Sequence, residues 1–283
     1  MEYKILYNRK ANNGRGHEEA LKIKDVLKDE DIQLIDITEI EDYEAYFSSV
    51  QDNVRCVLCG GDGTLNYYIN HVSESTLEKP IDYFACGTGN DFLRDIGVNP
   101  GEIVKDVNRF FKDLPTVTIN GKTSKFINGI GYGIDGYCCE VGDKQKEKSD
   151  KKVNYTGIAI KGILFHFKPV TATVTIDGKK FIAEKTWLVP TMKGRFYGGG
   201  MMACPEQDRL AADKTVSVMT YKTGFALKAL IVFPNIFKGE HVKNKKVVSI
   251  YKGNNVKVAF DRACALQIDG ETVLNVSEYE VTT

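Results

Sequence analysis

The sequence predicts a chain in two parts: an α/β domain with a doubly wound, mostly parallel sheet, and then a β-rich antiparallel sandwich. Strand-like and helix-like segments alternate over the first part, which is the pattern of a parallel sheet covered on both faces. The pattern changes at Pro115. Beyond that residue, alternating polar and apolar residues run into Asn-Gly and Asp-Gly pairs, which are strong hairpin signals.

The first part is predicted to be a nucleotide-binding domain over residues 1–115. Its predicted strands are 3–7, 32–37, 54–58 and 81–85, and its predicted helices are 17–28, 42–50, 65–72 and 101–114. The last helix is predicted from the spacing of apolar residues such as Ile103, Val107 and Phe110.

The second part is predicted to be a β-sandwich domain over residues 116–283. Hairpins are predicted at 117–122 and 174–179, with further strands at 187–191, 216–221, 247–251, 256–260 and 264–268. Helices are expected at 155–167 and 226–233, and the charged stretch 144–152 is expected to be a solvated loop.

Composition narrows the class of function. The 283 residues are 42% hydrophobic and 27% charged, as in a typical globular protein. With 38 basic and 38 acidic residues, the chain lacks the positive field of a nucleic-acid binder. We expect no signal peptide and no transmembrane segment, since no apolar stretch approaches the roughly 20 residues that a spanning helix needs. The seven scattered cysteines are expected to be structural and reduced, as in a cytoplasmic protein.

The most informative segment is residues 59–66, which read Cys-Gly-Gly-Asp-Gly-Thr-Leu-Asn directly after a predicted strand. Its glycines permit a tight turn that leaves backbone amides at a helix N-terminus, where an anion such as phosphate binds well. Asp62 is the unusual member, because a carboxylate repels phosphate unless a metal ion or a hydroxyl lies between them.

A second turn of the same kind follows the strand predicted at 81–85. Residues 87–92 read Gly-Thr-Gly-Asn-Asp-Phe, and Asn90 or Asp91 is suited to cap the next helix. Ligands of parallel sheets bind at the carboxyl ends of the strands. The two turns therefore predict one phosphate-binding edge.

With these motifs the chain resembles the diacylglycerol kinase catalytic-domain family, lipid kinases that include the sphingosine and ceramide kinases. The residues that match its nucleotide motifs are Gly60, Gly61, Asp62, Gly63, Thr64, Leu65 and Asn66 in the first turn, and Gly87, Thr88, Gly89, Asn90 and Asp91 in the second. Other matching pieces are 126–131, 198–200, 237–241 and 267–271. The resemblance implies a nucleotide cleft between two domains, with a C-terminal segment that packs back toward the first.

The resemblance also implies an activity, the transfer of the γ-phosphate of ATP to a lipid hydroxyl with Mg²⁺, diacylglycerol giving phosphatidic acid. Asn8 and Thr38 match further nucleotide contacts, although Arg9 stands where the family usually has proline. The lipid would be met at the membrane surface by a cytoplasmic, peripheral enzyme. The sequence leaves the oligomeric state open, a homodimer included.

Two acids near the C-terminus are the candidate catalytic residues. By spacing alone, Asp269-Gly270 is a hairpin turn of the same form as Asp177-Gly178. Only the first of the two pairs is followed by an acid, Glu271. The resemblance implies that Asp269 and Glu271 are the catalytic base and its neighbouring acid.

The loop 205–218 resembles the family's structural magnesium loop. The resemblance implies a side-chain ligand from Asp213 and carbonyl ligands from Leu210 and Thr215. Lys214 stands where the family usually has glycine, and its charge could pair with Asp213 and weaken the site. A plain solvated loop remains the alternative.

Two other functions stay open. NAD kinases and phosphofructokinase-type enzymes also carry Gly-Gly-Asp-Gly, but they lack the second turn in this form. A nucleotide-binding regulatory protein without turnover is the other alternative, and it is motivated by the departures at Arg9 and Lys214.

Overall fold

The computed structural model describes residues 2–9, 11–87, 89–149 and 153–283. The chain divides into two compact units, Met1–Leu114 and Pro115–Thr283. Each unit has a main sheet and a hydrophobic core of its own.

The first unit is an α/β unit around a five-stranded sheet. Its strands are β1 (Glu2–Tyr7), β2 (Asp31–Asp36), β3 (Val54–Gly60), β4 (Asp82–Ala85) and β5 (Ile103–Val104). Its helices are α1 (Ala11–Gly14), α2 (Gly16–Leu21), α3 (Tyr43–Ser49), α4 (Asp62–His71), α5 (Glu74–Leu77) and α6 (Asp91–Asp95). The sheet order is β2-β1-β3-β4-β5, and only the edge strand β5 runs antiparallel to its neighbour. The predicted mostly parallel α/β fold is confirmed.

Buried aliphatic residues explain why these strands lie at the centre. Ile5 of β1 and Val57 of β3 are fully buried in one core together with Ala20 of α2 and Ile23 of the 3₁₀ turn that follows α2. Leu58 follows Val57 in β3 and therefore points to the opposite face of the sheet, where it is also fully buried. Strands buried in this way are typical of parallel sheets covered by helices.

Three helix predictions in the first unit need correction. The helix expected at 101–114 is absent from the described residues, which there form β5 and a 3₁₀ turn, Val107–Phe110. Pairing of β5 with β4 and a left-handed backbone at Asp106, with φ of 49°, interrupt the helical pattern. The helix expected at 17–28 ends at Leu21 and continues as a 3₁₀ turn, Lys22–Asp25. The helix expected at 65–72 already begins at Asp62.

The second unit is an antiparallel β structure. Its strands are β6 (Thr116–Ile119), β7 (Lys122–Lys125), β8 (Gly129–Tyr132), β9 (Val170–Ile176), β10 (Lys179–Leu188), β11 (Thr191–Met192), β12 (Phe196–Tyr197), β13 (Met201–Met202), β14 (Val216–Lys222), β15 (Val248–Gly253), β16 (Asn255–Ile268) and β17 (Glu271–Thr282). Its helices are α7 (Ile134–Lys146), α8 (Tyr155–Lys161) and α9 (Ala226–Val232). A π turn, Gly162–His166, continues α8, and 3₁₀ turns at Phe233–Lys238 and Glu240–Lys243 follow α9.

Ten of these strands form one sheet that closes on itself. Strand β16 pairs with β8 near its C-terminal end and with β9 near its N-terminal end. The strands β11, β14 and β10 connect β8 to β9, so the circuit is complete. The two predicted hairpins, β6–β7 and β9–β10, both form. The antiparallel β-rich fold predicted for this part is confirmed.

Helix α7 was not predicted, although it is the longest helix of the described residues. It buries Ile134 and Cys138, while charged residues fill its last turns, where the sequence suggested a solvated loop. Among the described residues, no helix has both the length and the apolar character required to cross a lipid bilayer.

Candidate active site

The predicted nucleotide residues of the first unit lie along one edge of its sheet. The four parallel strands end there together, because Tyr7 pairs with Asp36 and with Cys59, and Gly60 pairs with Ala85. Asn8 directly follows β1, Thr38 follows β2, and the two glycine turns follow β3 and β4. The structure therefore brings these residues to the edge at which parallel sheets bind their ligands.

The two glycine turns pack directly on each other. A Cβ atom on Gly87 would lie 2.7 Å from Gly61 Cα, and a Cβ atom on Gly60 would lie 2.1 Å from Thr64 Oγ1. Real Cβ atoms do not approach other atoms so closely, so both positions require glycine. The amide of Thr64 donates to the Gly61 carbonyl (2.9 Å) and so starts α4 tightly behind the turn.

Asp62 joins the two turns, which explains a carboxylate at this place. Its oxygens accept hydrogen bonds from the amides of Asp91 (2.9 Å) and Phe92 (3.1 Å), at the start of α6. A carboxylate is well placed at the N-terminus of a helix because it satisfies amides that have no partner within the helix. Asp62 therefore holds the second turn against the first.

A disulfide bond adds a covalent link at the same place. Cys59 and Cys86, which directly precede the two turns, are bonded across β3 and β4, with 6.0 Å between their Cα atoms. The expectation that the cysteines are reduced is wrong for this pair. The Cα separation lies within the range that a disulfide requires. Cys56, three residues before Cys59, is free and buried.

The second turn offers open backbone and one unsatisfied polar atom. A Cβ atom on Gly89 would have no protein atom within 4 Å. Asn90 Oδ1 is buried and has no hydrogen-bond partner in the described part of the chain. The Asp91 carboxylate is buried and pairs with Arg94 (3.3 Å). Thr88 lies outside the described residues. A ligand hydroxyl or a bound water would satisfy the Asn90 oxygen.

The remaining residues of the first motif differ in how far they are buried. Leu65 is fully buried, so its side chain belongs to the core, whereas Gly63 is exposed in the first turn of α4. Asn66 is half-buried and its carbonyl accepts a hydrogen bond from Asn70 Nδ2 (2.9 Å). The glycine amides of the first turn are therefore the groups best suited to contact a phosphate.

Asp36 organises the two other predicted contacts. It accepts hydrogen bonds from the amide (3.0 Å) and hydroxyl (2.9 Å) of Thr38. It also forms an ion pair with Arg9 (3.2 Å), which in turn reaches Glu39 (3.2 Å). Arg9 is thus held by carboxylates and stabilises the loop after β1. The carbonyl of Asn8 packs closely on Gly16. A Cβ atom on Gly16 would lie 1.9 Å from the Asn8 carbonyl oxygen.

A cavity of about 520 Å³ lies beside the ends of β1 and β2. Its lining includes Tyr7, Tyr46 and the acidic residues Asp36, Glu39, Glu41 and Asp42. Because carboxylates repel phosphates, this lining does not suit the polyphosphate of a nucleotide. The glycine turns remain the candidate phosphate site.

In the second unit, Asp269 lies in the turn between β16 and β17, with a φ of 47°. Its carboxylate, 9% exposed, accepts three backbone hydrogen bonds, from Ile127 (2.7 Å), Asn128 (2.8 Å) and Gly129 (2.9 Å). A carboxylate has about four acceptor sites, so the backbone occupies most of them. Asp269 therefore anchors this hairpin turn to the segment before β8.

Glu271 is exposed at the first position of β17, beside a polar chain that links the turn to α7. Gly270 donates its amide to Gln267 Oε1 (2.6 Å), and Gln267 Nε2 donates to Asp135 Oδ2 (3.0 Å). Asp135 lies in the first turn of α7, and its carboxylate packs against Gly131. A Cβ atom on Gly131 would lie 1.7 Å from Asp135 Oδ2. Asp135 is a candidate site residue that sequence reasoning missed, because it lies in the helix that was not predicted.

Two buried basic residues close to the Asp269 anchor were also missed. Arg209, 7% exposed, donates to the Ile127 carbonyl (3.3 Å) and to Asn128 Oδ1 (3.1 Å). Lys193 is 3% exposed, and its amide donates to the Asn128 carbonyl (2.9 Å). Burying two cations is costly, and such clusters concentrate at functional sites. Their local sequences carry no pattern that distinguishes them from surface residues.

Two of the predicted magnesium ligands, Asp213 and Thr215, contact each other. Asp213 Oδ1 accepts hydrogen bonds from the amide (3.3 Å) and hydroxyl (3.1 Å) of Thr215, whose carbonyl accepts one from Gln207 (2.8 Å). Leu210 is exposed. No group of three or more His, Cys, Asp or Glu residues in the described chain is arranged to bind a metal ion. The predicted ligand set has one carboxylate and two backbone carbonyls and does not depend on such a group, so the Mg²⁺ site at Asp213 stays a prediction.

His241, in the matching piece 237–241, packs in the core of the second unit. Its side chain is fully buried, and its Nε2 lies 3.0 Å from the carbonyl of Ala203. Burial lowers the pKa of His241 from its usual value, so the neutral ring is favoured.

Comparison with known families assigns both units. Residues 2–119 match the diacylglycerol kinase catalytic domain, and residues 128–280 match a domain described as the YegS C-terminal NAD kinase beta sandwich-like domain. These matches cover the two glycine turns and the Asp269 anchor.

Known relatives agree with this assignment. A diacylglycerol kinase of Mycobacterium tuberculosis is 26% identical over 225 residues, which span 74% of this chain and 71% of that protein. A diacylglycerol kinase of Bacillus subtilis is 26% identical over 222 residues, which span 76% of this chain and 70% of that protein. The crystal structure of a diacylglycerol kinase from Bacillus anthracis has a TM-score of 0.66 at 21% identity, covering 100% of this chain and 94% of that one. At this identity the structural likeness shows the fold alone.

Proposed function

Because the chain belongs to the diacylglycerol kinase catalytic-domain family, we propose that it is an ATP-dependent lipid kinase with diacylglycerol as its acceptor. The product would be phosphatidic acid, formed at a membrane surface. Mg²⁺ would enter with the nucleotide as MgATP, and a structural Mg²⁺ held by Asp213 and the carbonyls of Leu210 and Thr215 stays a prediction.

The observation that carries this proposal is the packing of two glycine turns on one sheet edge, held together by Asp62. Phosphoryl transfer depends mainly on positioning and on charge stabilisation, and rigid backbone amides supply both. We assign the ATP phosphates to the glycine amides of the two turns. Asn8 and Thr38, at the ends of β1 and β2, are assigned to the remainder of the nucleotide.

The acceptor hydroxyl needs a group that takes its proton, because a neutral alcohol is a poor nucleophile. We assign this step to the pair Asp269 and Glu271. Asp269 is rigidly placed by three backbone amides, and Glu271 is exposed to an incoming molecule. The buried cations Arg209 and Lys193 would stabilise negative charge that develops near this turn.

Gly89→Ala tests the nucleotide site without disturbing the fold. The added methyl group meets no protein atom within 4 Å, but it occupies the space through which a phosphate would reach the backbone. We expect ATP affinity, measured by calorimetry, to fall at least about tenfold with an unchanged melting temperature. Gly224→Ala is the matched control, because its methyl group would meet only the flexible Lys185 side chain. Unchanged ATP affinity in Gly89→Ala would refute the assignment.

The acceptor is tested with labelled ATP offered separately with diacylglycerol vesicles, sphingosine, ceramide and NAD. We expect labelled phosphatidic acid as the main product. Formation of NADP without any lipid product would instead place the protein with the NAD kinases. ATP binding without any labelled product would favour the regulatory alternative.

A further inference from the structure

The second unit exposes an unusual group of large apolar side chains on two neighbouring elements. Phe165 and Phe225 are each 75% exposed, and Leu227 and Ile231 are each 67% exposed. The group, called here the docking patch, consists of Ile160, Leu164, Phe165, Phe225, Leu227 and Ile231. The π turn that carries Phe165 packs against α9, so the members belong to one surface.

The fold does not require these residues to be apolar. Ile163 of the π turn and Ala229 of α9 already fill the core below the patch, as do Ile158 and Val232. An ordinary surface helix carries polar residues on its outer face. Both elements of the patch carry large apolar side chains on the outer face as well as on the inner face, and exposed apolar surface of this extent marks an interaction site.

The charged residues in the two segments that carry the patch are all basic. Residues 154–168 and 222–238 contain no Asp and no Glu. At the frequency in the whole chain, 38 acidic residues in 283, about four would be expected in these stretches. The same stretches contain five lysines, which are Lys161, Lys168, Lys222, Lys228 and Lys238. The patch is therefore apolar and locally cationic in a chain with no net charge.

We propose that the docking patch inserts into the surface of an anionic lipid bilayer. Exposed phenylalanine and leucine side chains enter the boundary between headgroups and acyl chains, while the lysines remain among the lipid phosphates. Lysines near an anionic membrane each add to the attraction. This inference rests on the proposed lipid kinase function and specifies which face meets the membrane that holds the substrate.

A second copy of the chain fits the patch less well. Two-fold dimers bring the same surface of each subunit together. Such a contact would place the lysines of one patch against those of the other, with no carboxylate from either stretch to neutralise them. Lipid phosphates supply the negative charge that a second copy lacks.

The test is co-sedimentation of the full chain with vesicles, without ATP. The patch variant is Phe165→Gln with Leu227→Gln. The matched control is Ile182→Gln with Leu274→Gln, which removes two apolar side chains of 61% and 51% exposure elsewhere in the same unit. We expect wild type and control to bind vesicles of phosphatidylglycerol and phosphatidylcholine, and the patch variant to bind at least about tenfold more weakly. Added salt should weaken wild-type binding.

Equal binding by the patch variant, or no binding by wild type, would overturn the proposal. It would also be overturned if wild type were a dimer without lipid and the patch variant a monomer, because the patch would then cover a second copy. Phosphorylation of a water-soluble short-chain diacylglycerol is measured in parallel and should be the same in all three proteins. Its absence would reject the kinase function, whereas vesicle binding tests the patch independently.

Discussion

Replacing Asp269 by Asn separates catalysis from turn formation, because the chain contains a matched turn at Asp177. Both residues begin Asp-Gly turns with a φ of 47°. Both carboxylate oxygens of Asp269 accept hydrogen bonds from backbone amides. Oδ1 accepts from Asn128 and Gly129, and Oδ2 accepts from Ile127. Asp177 accepts through Oδ1 from the amides of Asn254 (3.1 Å) and Asn255 (2.9 Å).

The expected loss of stability differs between the two sites. In Asp269→Asn the side-chain amide nitrogen replaces one buried acceptor and faces a backbone N–H, which should lower the free energy of unfolding by about 2–3 kcal/mol. In Asp177→Asn the remaining side-chain oxygen can still accept both backbone hydrogen bonds, and the site is exposed. The free energy of unfolding should therefore fall by less than about 1 kcal/mol. Urea denaturation measures both values.

Turnover is then compared at a temperature at which circular dichroism shows all variants to be folded. If Asp269 takes the acceptor proton, Asp269→Asn should lose about 10²–10⁴-fold in kcat, with little change in ATP affinity. Asp177→Asn should retain full turnover. Equal turnover in the two variants would refute a catalytic role for Asp269.

Glu271→Gln completes the comparison, because its exposed side chain is not expected to support the fold. If Glu271 is the proton acceptor, this variant alone should show the large loss of kcat with an unchanged free energy of unfolding. Losses in both variants would indicate that the two carboxylates act together.

Three further predictions concern stability. Lys214 has a left-handed backbone, with φ of 56°, so Lys214→Gly should raise the free energy of unfolding by about 1 kcal/mol in urea denaturation; a loss would show that the lysine side chain matters more. The folded pKa of His241 is depressed by burial, so its stabilising effect is present above the ordinary pKa of 6.5 and is lost as the pH falls below it. His241→Gln should show a smaller fall in stability between neutral and mildly acidic pH, and an unchanged pH profile would contradict this. Reduction of Cys59–Cys86, which encloses a separation of 27 residues, should destabilise the first unit by about 3–4 kcal/mol, and Cys86→Ala should not respond to reductant.

The sequence predicted the fold best where local pattern and tertiary environment agree. Both glycine turns follow buried strands, and their positions at one sheet edge were correctly expected. The segment 101–114 has helical spacing, but strand β4 offers an unpaired edge that β5 occupies instead. Helix α7 escaped prediction because its charged second half resembles a solvated loop.

The candidate site was predicted only in part, for a related reason. Residues in contiguous motifs could be recognised, whereas contacts between distant segments could not. The capping of α6 by Asp62 spans 29 residues, and the bond between Asp269 and Ile127 spans 142. Arg209 and Lys193 become notable only through their burial, which no local pattern of charge or spacing reveals.

The pairing of the first and the last strand of the second unit has a consequence for synthesis of the chain. Strand β6, at the start of the unit, pairs with β17, and Thr118 lies opposite Glu280. The sheet therefore cannot be completed until β17 has left the ribosome. The strands of the first unit all lie before residue 105, so that unit can fold while the second is still being made. A nascent chain that stalls before β17 would present the edges of β6 and β16 to other chains, which makes late truncations prone to aggregate.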